Sequence, residues 1–248
     1  MSRKPSRRKK SPAARLRPFW FILGLLVIAA AFGLYSAAAW PGFYPKRVTV
    51  SGNRVVPAQQ ILDRAQIAPH ENVWLQNINL SASRIAAIPY IQTATVRRSL
   101  PAGVHIAVTE RTPFVRLRYG TQTVVADRDL RVLQSGNGNA ALPVLVTGYP
   151  TAPAPGTFVK NQNAVQLRDD YEALADAHVM AALLQYDKFG DLVATMHNGV
   201  QLLLGDDRTL AQTAPLVGPI LSQVAAQGRQ IAQVDLRAPK TPVVVFKK

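Results

Sequence analysis

Ile91–Glu110, IQTATVRRSLPAGVHIAVTE, is the stretch whose reading decides the fold. Val104, Ile106 and Val108 alternate with His105, Ala107 and Thr109, the period-two pattern of a strand with one buried face. Ile91–Ser99 reads as a second strand, and Pro101-Ala102-Gly103 supplies the turn chemistry between the two. The pair is predicted to form a β-hairpin, with the Val104, Ile106 and Val108 face turned toward a core.

Upstream, Lys46–Val50 (KRVTV) sets Val48 and Val50 on one face of another strand, and Ser51-Gly52-Asn53 turns the chain. Pro57 suits the start of a helix with Ile61, Leu62 and Ala65 as its apolar stripe. A loop through Pro69, His70 and Glu71 leads to Trp74-Leu75, predicted to be a short extended piece. Ser81 is the predicted N-cap of a second helix, with Ile85 and Ile88 inward and Pro89 as its stop. The order is β-α-α-β-β, a three-stranded sheet covered on one face by two helices.

Further toward the N-terminus, Phe19–Ala39 (FWFILGLLVIAAAFGLYSAAA) carries no charge. At ~1.5 Å rise per residue it reaches roughly 30 Å as a helix, the thickness of a bilayer's hydrocarbon core. Trp20 and Trp40 stand where interfacial aromatics anchor a span. The residues before it include Arg3, Lys4, Arg7, Arg8, Lys9, Lys10, Arg15 and Arg17 and no acid, so the positive-inside rule keeps 1–18 in the cytoplasm and sends 41–248 across the membrane. A cleaved signal peptide ending at Ala37-Ala38-Ala39 competes with this reading, but its apolar core normally runs only about 7–15 residues. The Arg7-Arg8 pair suggests twin-arginine export, yet Lys9 and Lys10 follow where an apolar residue belongs.

Charge and cysteine content narrow the setting. The chain contains no Cys, so the outer part must fold by its core without disulfides or a Cys-based metal site. The formal net charge is +15, of which the basic tail explains eight. A pI of about 10.7 would ordinarily suggest nucleic acid. Here a topology signal accounts for much of it, and the remaining excess suits anionic envelope polymers or an acidic partner.

Downstream of the hairpin, Asp127-Arg128-Asp129 reads as a turn between Val124–Asp127 and Leu130–Leu133. Leu142–Gly148 (LPVLVTG) reads as a strand, followed by a Pro-rich loop from Pro150 to Gly156. Val165–Leu184 has helical spacing, with Tyr171, Leu174, Ala181 and Leu184 as one stripe. Leu192–Met196 and Val200–Leu204 flank the hairpin signal Asn198-Gly199. A second helix is predicted over Leu210–Gln227, stopped by Gly228, with a kink or late start caused by Pro215 and Pro219. Ile231–Arg237 and Pro242–Phe246 are the last strands.

Gly52-Asn53 after a V-x-V strand, Pro89 closing the second helix, Val96-x-Arg98 before Pro101, and Ile106-x-Val108-x-Glu110 before Pro113 resemble a polypeptide-transport-associated (POTRA) domain. Following a single N-in span, they resemble more narrowly the version in the bacterial cell-division family FtsQ/DivIB. Leu142–Gly148 is similar to that family's LPxxxG strand and Asp235-Leu236-Arg237 to its DLR strand. The predicted fold class is therefore α+β: a basic tail (1–18), a transmembrane helix (19–39), a β-α-α-β-β POTRA domain (44–112), and a second mixed β-sheet domain with two helices (114–248).

No constellation for catalysis stands out. His70, His105, His178 and His197 are scattered without a second ligand at metal spacing, and there is no nucleophile elbow. Asp169-Asp170 and Asp206-Asp207 are neighbours in sequence that do not face a substrate across a gap. Gly136-Asn137-Gly138 lacks the Lys and helix of a phosphate loop. No enzyme activity, cofactor, metal or small-molecule substrate is expected. The basic run Arg97, Arg98, Arg111, Arg116 and Arg118 is a candidate interaction face, although such runs are more often simply solvated.

The resemblance implies a single-pass scaffold at the division septum of the bacterial inner membrane. Its partners would be membrane proteins of the FtsL and FtsB/DivIC type, and it would help control septal peptidoglycan synthesis. A short, β-branched final strand has a sequence neighbour on one side only, so Val243, Val244, Val245 and Phe246 are the candidate partner-binding edge. Two other classes compete. A membrane-anchored envelope enzyme acting on glycan or peptide would need paired carboxylates or an activated nucleophile. A transport-type POTRA module would continue into many alternating strands of about ten residues.

Overall fold

The computed structural model describes residues 12–247, so the expected tail lies largely outside the described residues. A helix, α1 (Pro12–Ala38), comes first. Side chains along it are described over 20–36, where they are exposed, and at Ala38, which is half-buried. Among the described residues no helix is long and apolar enough to cross a membrane.

The described residues fall into two compact units. The first lies within Met1–Gly52, Pro57–Arg84 and Ala94–Val108; the second comprises Asn53–Val56, Ile85–Thr93 and Thr109–Lys248.

The expected β-α-α-β-β order is present as β1 (Arg47–Ser51), α2 (Ala58–Ala65), α3 (Ile78–Ala86), β2 (Ile91–Ser99) and β3 (Gly103–Glu110). The sheet order is β1-β3-β2. β1 runs parallel to β3, pairing Val48 with Val104 and Val50 with Ile106. Val104, Ile106 and Val108 are buried, as are Ile61, Ala65, Val73 and Val96. His105 stands on the opposite, exposed face, its ring nitrogens 2.8 Å from Thr49 Oγ1 and 3.1 Å from Ser51 Oγ. Gly52 turns the chain at φ +86°, and a β-carbon there would lie 2.0 Å from the Val108 carbonyl oxygen.

Two local expectations are corrected. Trp74-Leu75 is a turn: Asn72 accepts the Trp74 N–H on its side chain at 2.9 Å and the Leu75 N–H on its carbonyl at 3.0 Å. Ser81 lies inside α3 and is buried, while Asn77 accepts the Leu80 N–H at 3.1 Å and so caps the helix one turn earlier.

The second unit carries β4 (Val115–Tyr119), β5 (Gln122–Ala126), β6 (Val132–Ser135), β7 (Val144–Val146), α4 (Gln162–Asp176), β8 (Ala181–Tyr186), β9 (Leu192–Met196), β10 (Gln201–Gly205), α5 (Asp207–Ala226), β11 (Ile231–Asp235) and β12 (Val243–Phe246). These strands form a nine-stranded sheet in the order β12-β11-β10-β9-β8-β7-β4-β5-β6. Pairs β4–β7, β7–β8 and β10–β11 are parallel, whereas β4–β5, β5–β6, β8–β9, β9–β10 and β11–β12 are antiparallel. Leu117, Leu145, Leu184, Ala194, Leu202 and Val234 are fully buried in a core shared with Leu167 and Leu174 of α4 and with Leu210 and Val217 of α5.

The predicted helix over Val165–Leu184 is split. Asn161 caps α4 by accepting the Ala164 N–H at 2.7 Å, and the helix ends at Asp176. His178 takes a left-handed conformation at φ 61°, and Ala181 and Leu184 then belong to β8. The prolines do not delay α5, which begins at Asp207 and runs through Pro215 and Pro219 to Ala226. Asp206 caps it through the Arg208 N–H, and the buried stripe of Leu210, Ala214, Val217 and Val224 secures it against the sheet.

Candidate partner-docking edge

The two edges of the nine-stranded sheet differ. β6 is covered, because the Val132 N–H donates to the Thr157 carbonyl at 2.9 Å and the Gly156 N–H donates to the Val132 carbonyl at 2.7 Å. A bridge between Arg131 and Phe158 extends that cover. β12 is the other edge, with no strand of the described residues on its outer side. An uncovered edge presents unpaired N–H and C=O groups to a partner.

β12 is held in place from one side only. It pairs antiparallel with β11 in the register Asp235–Val243, Val234–Val244, Gln233–Val245 and Ile231–Phe246, and the Lys247 N–H donates to Gln230 O at 2.8 Å. Val244 and Phe246 pack against the core, whereas Val243 and Val245 face outward at 57% and 46% exposure. This is the alternation that a half-buried strand imposes.

Two arginines brace the ends of the β11–β12 hairpin. The Arg229 guanidinium lies 3.4 Å from the centroid of the Phe246 ring. No sequence signal marks Arg229, because its aromatic partner is set by strand register and not by spacing. Arg237 is paired with Asp235 (Nη2 to Oδ2 2.5 Å) and donates its backbone N–H to the same carboxylate at 3.1 Å. The side-chain hydrogen bond from Arg237 is the main cause holding the Asp235 carboxyl below its usual range, with burial opposing it.

The five arginines of the basic run are distributed between the units. Arg97 is exposed on β2. Arg98 donates to the carbonyls of Val73 (2.8 Å) and Gln76 and lies 5.9 Å over the Trp74 ring. In the second unit, Arg111 is paired with Asp127 and Asp129, and Arg116 donates to the carbonyls of Leu142 and Ala140. Arg118 is half-buried on β4. Three of the five guanidinium groups therefore support local structure. Among the described residues, no group of three His, Cys, Asp or Glu side chains is placed to hold a metal ion.

Residues 43–111 match the family model for the FtsQ-type POTRA domain. The chain is 28% identical over 220 residues to the cell division protein FtsQ of Xanthomonas campestris pv. campestris, covering 87% of this chain and 73% of that protein. It is 25% identical over 218 residues to FtsQ of Mycolicibacterium smegmatis, covering 88% of this chain and 62% of the relative. It is also 23% identical over 220 residues to the cell division protein DivIB of Clostridium tetani, covering 84% and 81%. The chain is thus similar to the FtsQ/DivIB family, through an FtsQ-type POTRA domain and through division proteins matched over most of its length.

Proposed function

We propose that this chain is a non-enzymatic scaffold of the division machinery. Phe19–Ala39 crosses the inner membrane once, 1–18 stay in the cytoplasm, and a POTRA domain (44–112) and a β domain (114–248) work on the outer side at the septum. There the chain joins FtsL-type and FtsB/DivIC-type membrane proteins and helps control septal peptidoglycan synthesis. The observation that carries this reading is the open edge at β12: a partner strand added there would complete a ladder that the covered edge at β6 cannot offer. The division names of the relatives support the process. The lack of charge in Phe19–Ala39 and the basic residues before it support the single N-in span.

A fluorescent fusion expressed in the native host tests the process. It should gather in a band at mid-cell, and a uniform membrane signal would sink the reading. Protease added to spheroplasts tests the topology: it should digest the outer domains and spare a fragment of tail plus helix. A mature chain starting at Trp40 would end the single-span model.

A further inference from the structure

Large apolar side chains cluster where α1 ends. Trp40, Leu75 and Leu100 are 59%, 72% and 80% exposed, and Trp74 is exposed beside them. Ala38, Phe43, Asn72, Trp74, Leu75 and Leu100 line one open, almost wholly apolar groove in the first unit. No acidic side chain takes part.

The groove is tied to the helix end by hydrogen bonds. The last carbonyls of a helix have no partner within it. Here buried Asn72 donates from Nδ2 to the Ala38 carbonyl at 2.9 Å, while its Oδ1 accepts the Trp74 N–H. The Val73 N–H donates to Phe43 O at 3.0 Å, and Trp74 Nε1 donates to Pro101 O at 3.1 Å. Residues 72–75 and the turn at Leu100-Pro101 are thereby held at the level of the last turn of α1. If α1 spans the bilayer, a groove lined by Ala38 lies at headgroup depth, where Trp side chains are favoured. Arg98 over the Trp74 ring adds a cation beside that surface.

We propose that Trp74, Leu75 and Leu100 dock into the outer interfacial layer of the same bilayer that α1 crosses. The POTRA domain would then be held against the membrane by a second contact besides its tether. The occupant is lipid, because the groove is continuous with the apolar helix and begins at its final residues. This inference rests on the reading of α1 as a span.

The full chain contains no Cys, so single-cysteine variants carry a fluorescent label without background. L75C, L100C, R64C on α2 and I28C on α1 would be labelled with an environment-sensitive probe in nanodiscs of phosphatidylethanolamine and phosphatidylglycerol. The expected result is a blue shift and several-fold stronger quenching by a shallow lipid spin label at positions 75 and 100 than at 64. Aqueous iodide should reach position 64 and spare position 28. If 75 and 100 are as open to iodide as 64 while 28 is protected, the span stands and lipid docking is overturned. That outcome would leave the groove to a protein. If position 28 is itself open to iodide, the span reading fails and takes this inference with it.

Discussion

Glu110 Oε1 accepts the backbone N–H of Val56 at 2.8 Å, and the same carboxylate accepts those of Arg54 at 3.0 Å and Val55 at 2.8 Å. All four residues lie in the second unit. The connection between β1 and α2 has no strand to satisfy its donors, so a side chain at the end of β3 takes that role. Burial works against the charge on Glu110. The three N–H groups and the nearby charge of Arg54 outweigh it and hold the carboxyl below the usual glutamate range.

Glu110→Gln is expected to lower stability at neutral pH by about 1.5–3 kcal/mol, the range for hydrogen bonds made to a charged group. Because the folded pKa is depressed, this contribution is complete above the unfolded glutamate pKa of about 4.3 and fades as pH falls through the folded value. Melting of parent and variant in detergent, followed from pH 7 downward, should therefore begin to converge only once the pH is below the unfolded glutamate value. A gap independent of pH would mean that the charge of Glu110 has no part in holding the loop.

Gly52 answers to backbone space. Its φ of +86° and the Val108 carbonyl 2.0 Å from the position of a β-carbon leave no room for a side chain. Gly52→Ala should destabilise the first unit by well over ~1 kcal/mol, more than a Gly-to-Ala change costs where the conformation is compatible. An unchanged melting temperature would place the turn elsewhere.

The alternation of β3 was legible because one face is buried and the other wet, so a period of two survives in the residues. The split at Ala177–His178 was not. Ala181 and Leu184 follow Tyr171 and Leu174 at spacings a helix would also produce, no Gly or Pro marks the break, and His178 adopts a left-handed conformation that its residue type does not announce. Ser81 misled because a hydroxyl suits a cap, while Asn77, one turn earlier, does so as well and lies where the chain enters the helix. The edge position of β12 was legible in its shortness and in the Pro242 and lysines that flank it. The parallel β10–β11 pairing beside it depends on the crossover through α5, and the cover over β6 comes from a Pro-rich loop whose sequence does not reveal its pairing.

Ile106 is fully buried on the inward face of β3. Ile106→Asp places a charge where no partner waits, and unfolding of the first unit by several kcal/mol should follow. His105→Asp on the opposite face of the same strand should cost ~1 kcal/mol or less, since only the exposed contacts to Thr49 and Ser51 are lost. Equal melting of the two variants would reverse the assignment of faces.

Arg111 discriminates between two carboxylates. Its contact with Asp127 is nearly buried, with side-chain exposures of 10% and 6%, whereas Asp129 is 66% exposed. Asp127 also accepts the Arg131 N–H at 2.7 Å. Asp127→Ala leaves the buried Arg111 guanidinium only the exposed Asp129, removes the acceptor of the Arg131 N–H, and should cost about 3 kcal/mol. Asp129→Ala should cost ~0–1 kcal/mol. Denaturant melts of both variants check the ratio, and comparable losses would contradict the burial seen at Asp127.

The last prediction separates the two faces of β12. Val244 and Phe246 pack on the core and Arg229 covers the Phe246 ring, so Phe246→Ala should lower stability by about 2 kcal/mol, less than the 3–5 kcal/mol for a fully buried Phe. Val243 and Val245 face outward, and replacing both by Lys leaves the core contacts in place. The paired V243K and V245K changes should move stability by no more than ~0.5 kcal/mol, as for other surface sites. Lysine on an edge strand opposes the approach of another strand, and desolvating two ammonium groups against a docking partner is costly. Co-purification of the proposed FtsB/DivIC-type partner should therefore fall sharply in the lysine variant while its melting stays near that of the parent. Deleting 243–248 removes both faces and should abolish co-purification, with a larger loss of stability. Undiminished recovery of the partner by the lysine variant would mean that β12 only completes the core and that the scaffold docks elsewhere.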